Sequence, residues 1–140
     1  MMNVPTNLKH KPIIAINDYQ STYENYGGSD AEALSIGLAQ WNLHEISMKV
    51  FRYVGRWSPQ SEELPPHRVI DLCILLLAAF IDAPHDIPFT SMNEVVIDPT
   101  NLVTIENYFK SNQAMLIPKI KELSSILNSF ANKNNISLNP

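Results

Sequence analysis

Ten apolar residues in succession, Leu72 to Ile81, restrict this chain more than any other stretch; they follow Pro65-Pro66-His67-Arg68-Val69-Ile70-Asp71. A helix that is apolar on every side has to be buried rather than laid on a surface. Ten residues are too few to cross a bilayer, which needs roughly 20. The paired prolines suit a first helical turn, where missing N–H groups cost nothing. The run predicts a core helix over residues 66–81, with the rest of the chain built around it.

A chain of 140 residues fits a single domain that buries about two-thirds of the surface its unfolded form exposes. Residues 1–11, a basic lead-in with Lys9, His10 and Lys11, and residues 132–140 are expected to be loose tails. The charged share of 17% leaves room for a protein-covered face, so a homo-oligomer is expected. The net charge of −4 speaks against an extended nucleic-acid surface, since phosphate backbones are bound mainly through Lys and Arg. It does not speak against a small pocket for one phosphorylated ligand. Cys73 lies inside the apolar run and reads as a small buried hydrophobe, unable to form an intrachain disulfide. Residues 1–12 are polar and lack the apolar run of a signal peptide. A cytoplasmic protein without a membrane partner is the expectation.

Ile13 to Ile16 reads as a first strand, stopped by Asn17-Asp18, and Tyr19 to Gly28 as a tyrosine-rich loop. Ser29 and Glu32 have the spacing of a capping box, which suggests a short helix over Asp30–Leu34 before a strand from Ser35 to Trp41. Asn42-Leu43-His44 would be the hairpin connection. The clearest strand runs from Glu45 to Gly55, with Ile46, Met48, Val50 and Val54 on one side and Ser47, Lys49, Phe51 and Tyr53 on the other. Arg52 interrupts the apolar side and needs a rim position or a partner.

Gly55 to Leu64 is a polar loop leading to the central helix. Beyond Ile81, Pro84 and Pro88 stop the helix, Glu94–Ile97 suggests a short strand, and Asp98-Pro99 is a good helix start. From Leu102 to Phe130 apolar residues recur at steps of three and four, interrupted at Asn112 and strained at Pro118. Two helices meeting near Lys110–Gln113, or one kinked helix, would account for that. The fold class is α+β: a small antiparallel sheet of two to four strands, covered by the buried central helix and the C-terminal amphipathic helices.

The richest candidate site runs from strand to loop to helix start: Arg52, Tyr53, Arg56, Trp57, Ser61, His67 and Arg68. Guanidinium forks bind phosphate and stack on rings, aromatic faces sandwich bases, and a helix start favours anions. The same arginines can instead neutralise Glu62, Glu63 and Asp71, and Trp57 can be a lid on the core. His67 and Asp71 stand one helical turn apart, as in a histidine oriented by a carboxylate. No nucleophile is placed to use that base. His44, His67, His85 and Asp86 match no zinc spacing, and no phosphate-loop, dinucleotide or nucleophile-elbow motif is present, so neither metal nor cofactor is expected.

From Ser35-Ile36-Gly37-Leu38-Ala39-Gln40-Trp41 through Arg56-Trp57-Ser58-Pro59-Gln60-Ser61-Glu62-Glu63-Leu64-Pro65-Pro66 to Asp71, the chain resembles a small family of uncharacterised bacterial and phage proteins. The resemblance covers roughly residues 29–81 and implies a stand-alone domain with no assigned activity. The leading functional expectation is therefore a non-catalytic domain holding a small anionic or nucleotide-like molecule. Its sharper form is a sponge for a cyclic-nucleotide or ADP-ribose-type signal. A protein–protein module docking through the tyrosine-rich loop is the alternative. A hydrolase using His67 with Asp71 or Glu63 ranks last.

Overall fold

The computed structural model describes residues 2–24, 28–81 and 90–139. It divides into two compact units, Met1–Cys73 and Ile74–Pro140. The fold is α+β.

The first unit is a four-stranded antiparallel sheet of β1 (Lys11–Ile16), β2 (Ala31–Ala39), β3 (Asn42–Arg52) and β4 (Glu63–Leu64), in that spatial order. β2 explains the arrangement. Its odd positions, Ala31, Ala33, Ser35, Gly37 and Ala39, are small and buried; its even positions, Glu32, Leu34, Ile36 and Leu38, are only half-buried. A strand with one face of small side chains lets another piece of backbone lie close to it. Gly37 is where this happens, because a Cβ there would stand 2.1 Å from the Lys11 carbonyl oxygen. β1 slips register between Pro12 and Ile14 at this crossing.

Several expectations change in this unit. No helix forms over Asp30–Leu34, where β2 begins at Ala31. Ser29 Oγ donates to Glu24 and accepts from the Ala31 N–H, so it steers the chain into the strand instead of capping a helix. Period-two alternation over nine residues outweighs the local capping signal. The hairpin turn is Gln40-Trp41, since Ala39 pairs with Asn42, and the predicted connection is absorbed into β3. The polar loop after β3 folds into a small hairpin in which Tyr53 bridges Trp57 around Gly55, whose φ of 82° is one glycine adopts freely.

The helix foreseen at residues 66–81 is present as α1 (Pro66–Ile81), but it is not a buried core element: only Ala78 is buried. Leu72 and Leu76 are 52% and 47% exposed. Helix formation needs only local hydrogen bonds and good helix formers, which Leu and Ala are. Burial needs a covering surface as well.

In the second unit, the last turns of α1 are followed by a 3-10 turn at Pro99–Asn101, α2 (Leu102–Ser111) and α3 (Gln113–Asn134). The Asp98-Pro99 start forms as read, with the Asp98 carboxylate accepting from the Thr100 N–H at 3.1 Å. The helices separate at Asn112, whose side chain donates back to the Tyr108 carbonyl at 2.8 Å. Pro118 lies inside α3. Phe80 of α1 packs on Phe109 of α2 with ring centres 4.9 Å apart. Glu94–Ile97 forms no strand. Pro84, His85, Asp86 and Pro88 lie outside the described residues.

Candidate functional site

The buried side of the sheet is its polar side. Phe51, Ser47 and Ser35, from β3 and β2, are covered there by the N-terminal segment, which seats His10 at 2% exposure. The lead-in expected to be loose thus carries one of the largest fully buried side chains among the described residues. His10 Nδ1 is 2.9 Å from Ser47 Oγ, and Nε2 is 3.0 Å from Ser35 Oγ. Ser47 spends its own hydroxyl proton on Glu63 Oε2 at 3.1 Å, so its oxygen is left to accept from His10 Nδ1–H. That fixes the tautomer: Nε2 carries a lone pair and accepts from the Ser35 hydroxyl. The proton order is Ser35 to His10 to Ser47 to Glu63.

Glu63 sits on the short strand β4 with its side chain only 2% exposed. Its Oε2 also accepts from the Gln40 N–H at 2.9 Å. Its Oε1 has no hydrogen-bond partner among the described residues; Lys49 Nζ stands 3.8 Å away and His10 Nδ1 3.6 Å away. Burial pushes the His10 imidazole below its ordinary pKa of 6.5, partly opposed by the Glu63 carboxylate and assisted by Lys49. His10 is therefore the neutral ring that the hydrogen-bond order requires. A neutral imidazole accepting from a serine hydroxyl is the pairing that activates nucleophiles. Here Ser35 is 4% and Ser47 0% exposed, so the arrangement as folded fastens the N-terminal segment to the sheet.

The residues singled out in the sequence separate into two sets. Arg52 is committed: its guanidinium pairs with Asp30 and with both oxygens of Glu62, the latter at 2.6 and 3.1 Å. That pairing raises the Arg52 pKa and holds Glu62 below the usual carboxylate range. Tyr53 and Trp57 meet edge to face at 5.2 Å, and Trp57 meets Phe51 the same way at 5.7 Å, so the indole caps the buried network. Ser61 Oγ donates to the Ser58 carbonyl. Arg56, His67 and Arg68 are exposed, and their side chains make no hydrogen bond or ion pair among the described residues. At the start of α1 the N–H groups of Arg68 and Val69 both donate to the Pro65 carbonyl, which occupies donors an anion would use. Among the described residues no group of three or more His, Cys, Asp or Glu is placed to hold a metal ion.

The opposite face of the sheet carries the large apolar side chains. The register forms rows across it: Ile16–Leu34–Val50, then Ile14–Ile36–Met48–Leu64, then Leu38–Ile46. Ile14 is 66% and Ile16 45% exposed. A hollow of about 160 Å³ lies among Ile14, Ile16, Leu34, Ile36 and Met48. The salt-bridged Asp30–Arg52–Glu62 group and Glu32 border one end of this face. Sequence reading missed both surfaces as sites. The small-residue alternation of β2 was the available signal for the buried one, since it marks the side on which backbone and polar groups crowd.

Residues 2–83 match the model of a family of unknown function, DUF6530. No curated protein matches the chain, and no solved structure does. Among the described residues no helix is long and apolar enough to cross a membrane.

Proposed function

Starting from a chain that belongs to the DUF6530 family of unknown function, we propose that it is a non-catalytic interaction module working through the apolar face of its sheet. One observation carries this reading: nine large apolar side chains form continuous rows on a face whose strand β1 leaves Ile14 two-thirds exposed. Contiguous apolar patches of this kind mark interaction surfaces in soluble proteins. The buried hydrophobic residues among those described are mainly alanines, with Phe51 the large exception, so the chain buries little apolar side chain in its own core. The groups with catalytic chemistry, His10, Ser35, Ser47 and Glu63, are occupied with one another under cover. An unpaired Cys73 agrees with a cytoplasmic setting.

The test is methyl NMR with a soluble nitroxide. Ile14, Ile16 and Ile36 methyls should be quenched in dilute protein and shielded once the face is engaged. Shielding that persists in protein that sediments as a monomer means the chain covers the face itself, and it overturns the reading.

A second reading rests on Arg56 and Arg68, whose side chains have no ion-pair partner among the described residues, with His67 next to Arg68 in the chain. It is a clamp for a small anionic or nucleotide-like molecule, in its sharpest form a sponge for a cyclic-nucleotide or ADP-ribose-type signal. Calorimetric titration with cyclic dinucleotides and cyclic ADP-ribose isomers tests it. Heat that disappears in Arg56→Ala and Arg68→Ala supports it, and the absence of heat with every member removes it.

A further inference from the structure

We infer that the occupant of the apolar sheet face is a second copy of this chain, packed face to face about a twofold axis. The inference rests on the interaction-module reading and adds the partner's identity and orientation. Flat rows of alternating apolar residues match another sheet at about 10 Å, the spacing of sandwich cores. An identical face is such a surface and carries the same rows. Ile14, Ile16 and Ile46 are 66%, 45% and 38% exposed, so the face has apolar area for a partner to bury, as a standard interface of roughly 800 Å² per partner requires. An apolar centre with charged groups at the border is the anatomy of such interfaces. The hollow beside Ile14 and Met48 has room for a large apolar side chain from the facing sheet.

Charge selects between the two twofold arrangements. One end of the face bears Glu32 together with Asp30, Arg52 and Glu62, an acidic excess even after Arg52 is paired. The other end bears His44, which shares its side of β3 with Ile46. An axis parallel to the strands would bring the acidic ends together. An axis lying in the interface and across the strands sets each acidic end beside the partner copy's His44 end. The second arrangement is the one inferred.

Sedimentation of the full chain from 1 to 100 µM, read with the nitroxide experiment, tests the inference. The expected result is a dimer in which Ile14→Glu raises the dissociation constant at least 100-fold, while Leu43→Glu, an exposed apolar position on the opposite side of β3, leaves it unchanged. Ile14 is 66% exposed in the single chain, so the glutamate should not unfold it; an unchanged circular dichroism spectrum verifies this. With Cys73→Ser as background, His44→Cys should be linked by a short bismaleimide to Glu32→Cys of another copy in mixed samples, more than to itself. Preferred 44–44 linkage overturns the orientation. A monomer at 100 µM whose Ile14 and Ile36 methyls remain open overturns the second copy and leaves the interaction face standing for another partner. A monomer with those methyls shielded overturns both. A dimer indifferent to Ile14→Glu, with open methyls, removes the second copy from this face alone.

Discussion

His10 Nδ1 donates to Ser47 Oγ at 2.9 Å, joining the N-terminal segment to the middle of β3 across 37 positions of chain. Because burial lowers the His10 pKa, the unfolded chain binds a proton more readily than the folded one. Stability from this group is present above about pH 6.5 and is lost as pH falls from there through the lower folded value. The slope in that window reaches at most about 1.4 kcal/mol per pH unit for one proton. His10→Ala should cost about 3 kcal/mol at pH 8, from the cavity and from two buried hydroxyls losing a partner. It should also remove this part of the acid slope. Urea denaturation from pH 8 to pH 5 checks both, and a variant that keeps the wild-type slope refutes the assignment.

Gly37 faces the Lys11 carbonyl so closely that a Cβ would meet backbone at 2.1 Å, with no flexible side chain to yield. Gly37→Ala must push β1 away from β2. The expected loss is about 3 kcal/mol, in the range of severe overpacking. It should be accompanied by faster amide exchange in Lys11–Ile16 than in β3. Equal exchange in both strands would mean that the close crossing is relieved elsewhere.

Arg52 lies between Asp30 and Glu62 with about a third of its side chain exposed. Exposed pairs contribute little, so Arg52→Met should cost only about 1 kcal/mol, and 1 M salt should shrink the difference. The sharper readout is Glu62. Its carboxyl is held below the ordinary value of 4.5 chiefly by the Arg52 hydrogen bond, so in Arg52→Met its carbon-13 titration should move upward. The pair's contribution is present at neutral pH and is lost as acid titrates Glu62.

The elements with strong periodicity were legible in the sequence. Residues 66–81, the break at Asn112 and the Asp98-Pro99 start all reflect local chemistry. Arg52's need for a partner also followed from its place on an apolar strand face. Which face of the sheet is buried did not follow. Hydrophobicity points to Ile46, Met48 and Val50 as the inner side, yet the covered side is that of Ser47 and Phe51, because the N-terminal segment can approach only where β2 is small. His10 was unreadable for the same reason: its partners Ser35 and Ser47 lie 25 and 37 positions away. They become neighbours only once the strands pair.

Asn135 ends α3 in the left-handed conformation, at φ 53°, with its N–H donating to the Ala131 carbonyl. Asparagine tolerates that geometry and glycine adopts it without steric cost. Asn135→Gly should therefore leave stability unchanged or raise it by up to about 0.5 kcal/mol. Asn135→Ala should lower it by about 1 kcal/mol, because its Cβ opposes the positive φ. Both changes are exposed and remove no packing, so the difference isolates the backbone. Thermal unfolding of the two variants side by side reads it. An alanine variant as stable as the glycine one would show that α3 ends by another route in solution.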